Sequence, residues 1–367
     1  MAVSIRKIIE NYNPDAPLAQ ASTPPASWYT DPRIFELEQR TVFSSSWQLV
    51  GRVDQVREPS RYLTSEIAGE PIAVVRGHDK VLRGFINVCR HHAAAVVSKP
   101  EGIADNLRCP YHGWTYNLEG VLILTPEFGG VANFDRAANG LIRKNWVFAK
   151  LKTEGPSLED FLSKDLMERF EPLNLEQMQW FERRHYTLNC NWKVFVDNYL
   201  DGGYHVPHIH GNLNSVLDYT KYNIEAGEHF CLQSSPIVTD KAEAKTAEVR
   251  KGQRAFYYWI YPNLMINIYD GVMDTNLVIP RSGDRTEVIF DYYFADVSES
   301  ARERNLASIA VSEQIQAEDV AVCESVQRGL RSRSYNAGRL SVRREAGEHL
   351  FHRLLYKDLH AGLPGEK

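Results

Sequence analysis

Two thiol–imidazole pairs stand close together in this chain: Cys89-Arg90-His91 and Cys109-Pro110-Tyr111-His112-Gly113-Trp114. As Cys-x-His and Cys-x-x-His they suit a [2Fe–2S] cluster in which one iron takes two Cys and the other two His. Exchanging thiolate for neutral imidazole on one iron raises the potential, so such a group passes single electrons. Structural zinc fits less well, because zinc pairs usually set Cys beside Cys and His beside His. Here each pair mixes the two types.

A second set lies downstream. His205, His208 and His210 fall within six residues, beside Asn198 and Asp201. Two imidazoles and one carboxylate with open positions form the facial triad of non-haem Fe(II) oxygenases. Asn198, Asp201 and His205 are spaced i, i+3, i+7 and are expected on one helix face. Pro207 is expected to break that helix and bend His210 back toward the metal. The carboxylate must come from elsewhere. A helical pattern over 300–330 offers Glu318, Asp319 and Glu324, and spacing alone does not choose among them.

These residues need elements to hold them. At 367 residues the chain is long enough for two domains. Residues 1–44 read as a helical arm; 45–152 as a small antiparallel β domain with both Cys/His pairs at loop tips; 153–367 as the iron-binding domain. In the β domain, strands are expected at Ile72–Val75, Val81–Val88, Thr115–Asn117 and Val121–Leu124. Residues 153–186 read as a polar helical linker, with a helix over Ser157–Phe170. A long helix, Asn191–His205, follows. Strands dominate from Arg254 to Phe294, and Arg331–Arg344 forms a basic tail segment. The fold class is α+β, a curved antiparallel sheet carrying long helices in a helix-grip-like arrangement.

Composition is that of a globular chain, with 43% hydrophobic and 24% charged residues. A net charge of −5 argues against nucleic acid as a partner. Of five Cys, three (Cys190, Cys231, Cys323) stand apart, which fits reduced thiols in a cytoplasmic protein. There is no 18-residue apolar run, so no membrane span is expected. The first residues show neither an apolar signal core nor a transit-peptide pattern, since Glu10, Asp15 and Asp31 are acidic.

On these motifs the chain resembles the catalytic α subunit of Rieske non-haem iron oxygenases and, within them, choline monooxygenase and its homologues. The resemblance rests on Trp28-Tyr29-Thr30, Cys89-x-His91-His92, Cys109 to Trp114, Asp197 to His205, His210, and the run from Glu318-Asp319 to Leu330. It spans about residues 20 to 360. Respiratory-chain Rieske proteins are a poorer match, since their additional loop Cys are replaced here by Ala94 and Tyr111. The resemblance implies cluster ligands Cys89, His91, Cys109 and His112, and iron ligands His205, His210 and Asp319. It implies that Asp201 links a cluster His of one subunit to an iron His of its neighbour in a homotrimer. It also implies a separate flavin/iron–sulfur reductase or ferredoxin drawing on NAD(P)H. Many relatives place the bridging acid three residues before the first iron His; here that position is Gly202, and Asp201 stands four before.

The reaction expected is O2-dependent hydroxylation of a small organic substrate, with choline or another quaternary ammonium compound first. A cation without hydrogen-bond donors is held best by aromatic faces, and Tyr257, Trp259, Tyr261 and Tyr269 offer them, with His208 as a further pocket residue. Two alternatives stand beside this: an oxygenase for an aromatic compound, and an electron-transfer protein without oxygenase activity.

Overall fold

The computed structural model describes residues 3–127, 140–143, 146–238 and 244–363. The chain forms two compact units. One is contiguous, Gln39–Phe161; the other joins Met1–Glu38 to Leu162–Lys367.

The contiguous unit is built of short antiparallel strands. Its four-stranded sheet runs Leu82–Ile86, Glu70–Arg76, Arg61–Ile67, Glu101–Ile103 in spatial order. A second sheet joins Gln48–Arg52, Trp146–Ala149 and Gly140–Arg143. The third, Leu107–Arg108, Thr115–Tyr116 and Leu122–Leu124, carries the second Cys/His pair in its first turn. Val75, Phe85, Leu107, Trp114 and Tyr116 close a core that contains both Cys89 and Cys109.

The other unit is organised around a seven-stranded antiparallel sheet. Its order is Gln179–Leu188, Arg285–Phe294, Val272–Ser282, Leu264–Tyr269, Arg254–Ile260, Phe230–Pro236, Asn223–Ala226. Three helices matter for the site: Trp192–Leu200, Arg302–Leu330 and Ala346–Ala361.

Several expectations change here. The segment expected to end a polar helical linker contributes an edge strand, Gln179–Leu188. Its charges pair across strands and to the long helix: Arg183 with Asp291, His185 with Glu287, Arg184 with Glu313. An edge strand tolerates such a polar sequence, because only one side of it is paired. The helix expected over Ser157–Phe170 is two helices, split at Ser163, whose backbone is left-handed at φ 59 and whose hydroxyl caps Leu166 N–H. The final helix, Ala346–Ala361, lies beyond the basic segment and is an addition to the expected elements.

Among the described residues no helix is long and apolar enough to cross a membrane.

Candidate functional site

In the contiguous unit the two Cys/His loops share one hydrogen-bond pattern. Cys89 N–H donates to Ala94 O at 2.8 Å and Ala93 N–H to Cys89 O at 2.9 Å. Cys109 N–H donates to Trp114 O at 2.8 Å and Gly113 N–H to Cys109 O at 3.1 Å. Each turn closes through a residue with positive φ, Ala93 at 58° and Gly113 at 73°. Both thiols are buried, and the two imidazoles converge, with His91 and His112 ring centroids 4.6 Å apart. Trp114 stacks on His91 at 4.7 Å with an interplanar angle of 2°, shielding one side of the ring. Sequence reading misses two braces. Asn87 staples the first loop, accepting from Val96 and Val97 N–H and donating to Val97 O. The Tyr116 hydroxyl accepts from Arg90 N–H at 3.0 Å and lies 3.6 Å from Cys89 Sγ. Burial, and then the hydrogen bond to Cys89, push Tyr116 up to about 12. Two buried thiols and two converging imidazoles match the donor types of a [2Fe–2S] cluster held by a pair of Cys on one iron and a pair of His on the other.

In the discontinuous unit the local structure around His205 differs from a straight helix bent at Pro207. The helix stops at Leu200, and Asp201 sits at its C-terminal cap. Gly202 and Gly203 follow with φ of 69° and 66°, a conformation that L side chains rarely adopt. A Cβ on Gly202 would collide with the Arg344 carbonyl, and one on Gly203 would stand 2.8 Å from the Tyr222 ring. Pro207 falls in the first turn of the next short helix, Val206–Ile209, where its missing N–H is harmless. The double glycine therefore makes the bend assigned to Pro207.

That bend assembles the donor set. One ligand atom each of His205, His210 and Asp319 lies within 4.8 Å of the others. His210 Nε2 is 3.0 Å and His205 Nε2 3.8 Å from Asp319 Oδ1. The opposite ring nitrogens are held by other carboxylates: His205 Nδ1 by Asp201 at 2.7 Å, His210 Nδ1 by Glu318 at 2.6 Å. Such carboxylate–imidazole contacts fix ring orientation and leave Nε2 for a metal. Burial lowers the pKa of His210, yet Asp319 and Glu318 together raise it on balance, so the site attracts positive charge. Two imidazoles and a carboxylate in a field of this sign fit a ferrous ion.

Asp201 also accepts the Tyr204 and His205 N–H groups. Asn198 donates to Asp319 Oδ1 at 2.8 Å. Glu324 lies apart and accepts from Asn189. His208 is exposed beside Tyr204 and does not line the cavity that opens on the donor set.

This cavity, of ≈ 100 Å³, is bounded by His205, His210 and Asp319. Tyr222, Tyr257, Tyr269, Phe195 and Phe290 contribute aromatic surface. Tyr257 and Tyr269 are the two expected aromatics that reach it, and their hydroxyls meet at 2.9 Å. Trp259 and Tyr261, at alternate positions beyond Tyr257, lie elsewhere: Trp259 packs on Phe351 and Tyr261 bonds Asp358, both on the last helix. Burial raises Asp274 at the cavity wall, against the pull of Asn276, Arg250 and Asn267. Arg250, Gln316 and Asp274 are not found from sequence, since a lone polar residue in a strand or helix carries no spacing signal.

Two family models match the chain, the Rieske [2Fe-2S] domain over residues 46–135 and the ring hydroxylating alpha subunit catalytic domain over residues 175–359. The chloroplastic choline monooxygenase of Arabidopsis thaliana is 37% identical, over 97% of this chain and 87% of its own. The carnitine monooxygenase oxygenase subunit of Escherichia coli K12 is 32% identical over 86% of each chain. A quaternary ammonium Rieske monooxygenase solved with L-carnitine superposes with a TM-score of 0.80 at 27% identity, covering 99% of this chain and 100% of that one. Naphthalene 1,2-dioxygenase from Rhodococcus shares the fold, with a TM-score of 0.77 at 20% identity over 93% and 95% of the two chains. Matched in both units and along nearly its whole length, the chain belongs to the Rieske non-haem iron oxygenases, enzymes that pair a [2Fe–2S] cluster with a mononuclear iron.

Proposed function

We propose that this oxygenase hydroxylates a C–H bond of a small quaternary ammonium compound. The observation that carries the reading is the aromatic cavity with a buried carboxyl, Asp274, opening on His205, His210 and Asp319. Aromatic faces and a carboxylate attract a cation that offers no hydrogen-bond donor. The relatives named for choline and carnitine support the same class.

In this reading Cys89, Cys109, His91 and His112 hold the cluster; His205, His210 and Asp319 hold the iron. When bound, the cluster supplies electrons one at a time and the iron activates O2 beside the substrate. The chain's own residues do the rest. Tyr222, Tyr257 and Tyr269 wall the cavity and exclude bulk water. Asp201, fixed by two backbone N–H groups and by His205 Nδ1, would link His205 to the source of electrons. Glu318 does the equivalent orienting for His210, and Asn198 keeps Asp319 in place. The overall balance is one C–H bond, one O2, two electrons and two protons giving C–OH and water. The electrons would come from a separate NAD(P)H-dependent flavin/iron–sulfur reductase or ferredoxin, and the working form would be a cytoplasmic homotrimer in which Asp201 links the His205 side of one subunit to a neighbour's cluster-binding residues.

The test is oxygen uptake with a reductase and NADH against choline, carnitine, betaines and simple aromatic acids, with product analysis. Uptake coupled to oxidation of a trimethylammonium compound is expected. Coupled turnover of an aromatic acid with none of the cations would sink the proposal. That second reading draws on Arg250, Asn267 and Asn276, which also line the cavity.

A further inference from the structure

A second convergence of metal-binding side chains lies alongside the helix that leads to the iron ligands. Asp197 of Trp192–Leu200 meets Glu348 and His352 of the last helix, which stand one turn apart at i and i+4. One ligand atom of each lies within 4.8 Å of the others. His352 Nε2 is 2.9 Å from Asp197 Oδ1 and 3.9 Å from Glu348 Oε1. The matching separations in the His205, His210 and Asp319 set are 3.0 and 3.8 Å. The Tyr29 hydroxyl brings a fourth donor atom, 2.7 Å from Asp197 Oδ2 and 3.4 Å from His352 Nε2. In a tetrahedral site with bonds of about 2.0 Å, neighbouring ligand atoms stand about 3.3 Å apart, so small side-chain shifts would close this set on one ion.

The set is also short of positive charge. The Glu348 side chain is only 8% exposed. Among the described residues no donor hydrogen-bonds its carboxylate, and His352 Nε2 stands 3.9 Å away. Asp197 is bonded by a phenol and an imidazole, and neither carboxylate has a Lys or Arg partner among the described residues. Lys193, an ammonium whose charge also reaches Asp197, is held by Glu38 Oε1 at 2.5 Å. Burial first, and then the charges of Asp197, Glu345 and Asp201, push the Glu348 carboxyl well above its ordinary range. A single dication would neutralise both carboxylates while the phenol and the imidazole stay neutral. One nitrogen and three oxygen donors suit zinc, whereas calcium and magnesium take all-oxygen sets.

We propose that Asp197, Glu348 and His352, closed by Tyr29, form a structural zinc site separate from the two redox centres. The ion would join three segments: the N-terminal one, the ligand-bearing helix and the last helix. Tyr29 and Asp197 stand on opposite sides of the inserted unit Gln39–Phe161, so the site ties the discontinuous unit across its interruption. Because the ligands come together only in the folded chain, binding free energy there is folding free energy.

The test is zinc binding to the cluster- and iron-loaded enzyme, dialysed free of loose metal, by metal analysis and calorimetry. About one zinc per chain is expected beyond the iron. Since zinc also suits the mononuclear site, the same measurement on Asp319→Ala isolates the proposed one, and uptake should persist there. Glu348→Gln, close in shape, should weaken that uptake at least about a hundredfold, since even partners that only orient a ligand are worth 10- to 100-fold. The cluster's visible spectrum should not change. Zinc should raise the unfolding midpoint of Asp319→Ala and leave that of the Asp319→Ala, Glu348→Gln double variant where it was. The rival is a proton shared by the two carboxylates, which predicts an infrared band of a protonated carboxyl that Glu348→Gln removes. That band in enzyme without zinc uptake, or uptake indifferent to Glu348→Gln, overturns the proposal. Absence of uptake by Asp319→Ala overturns it alone, so the outcome does not hinge on the Glu348 variant folding.

Discussion

At the scale of single residues, the site is a set of carboxylates distinguished by what each one faces. Asp319 looks into the donor set, Glu318 and Asp201 look at the far sides of the imidazoles, and Asp274 is buried in the cavity wall. Replacing each should therefore give a different loss. Asp319→Ala should empty the mononuclear site while leaving the visible spectrum of the cluster unchanged, as iron analysis alongside absorbance would show. Glu318→Gln should retain iron with about 10- to 100-fold weaker affinity, the usual consequence of losing an orienting partner. The reverse ranking of these two variants would mean that Glu318 is the ligand. Asp201→Asn should load both metals and still fail to pass electrons between them; stopped-flow oxidation of the cluster at the normal rate in a single turnover would refute the bridge. In the other unit, Tyr116→Phe removes a hydroxyl 3.6 Å from Cys89 Sγ. Hydrogen bonds to cluster sulfur raise the potential, so the variant should fall by about 60 mV, roughly a factor of ten for one electron. An unchanged midpoint in redox titration would mean that the hydroxyl serves only Arg90 N–H.

At the scale of elements, what matters is which features leave a mark in sequence. The two Cys/His loops were legible because metal ligands must be particular residue types at short spacing. The His205–His210 cluster was legible for the same reason. The path of the backbone between its members was not: Pro207 is the louder signal, yet Gly202 and Gly203 make the turn. Asp201 reaches His205 through a cap at the end of a helix, so its four-residue spacing needs no shared helix face. The edge strand Gln179–Leu188 was hidden because its charges are satisfied by partners more than a hundred residues away. The same holds for the buried pair that anchors Trp192–Leu200. Lys193 Nζ donates to Glu38 Oε1 at 2.5 Å, and Trp192 Nε1 to Glu38 Oε2 at 2.8 Å, all fully buried. Burial is the largest influence on both ions, raising Glu38 and lowering Lys193. Breaking one side strands the other, so Lys193→Met should destabilise the unit by about 3–5 kcal/mol, while Glu38→Gln combined with Lys193→Met should recover most of it. Chemical denaturation of the two variants decides the matter; a double variant less stable than Lys193→Met alone would mean that the ions act independently.

At the scale of the whole molecule, the two units bring different cofactors to one reaction, and the proposed trimer makes each subunit's iron depend on a neighbour's cluster. Co-expression of a Cys109→Ser chain, lacking the cluster, with an Asp319→Ala chain, lacking the iron, tests this. Each alone should be inactive. Mixed trimers should regain up to about a third of native turnover if electrons cross between subunits, since only some neighbour pairs join an intact iron to an intact cluster. No recovery in mixed trimers verified by mass would place electron transfer within one chain.

The clamp on Asp197 has a consequence in time. This residue lies on the helix that precedes the iron ligands, and it accepts from the Tyr29 hydroxyl at 2.7 Å and pairs with His352 Nε2 at 2.9 Å. The clamp thus closes across 168 and 155 residues of chain. During translation, residues 39–161 leave the ribosome as a finished unit and can begin folding at once, domain by domain. The other unit must hold its first segment, including Tyr29, in waiting until His352 has emerged. The segment carrying Cys89 and Cys109 is therefore complete in the chain before the partners that clamp the helix leading to His205 and His210 have all been made.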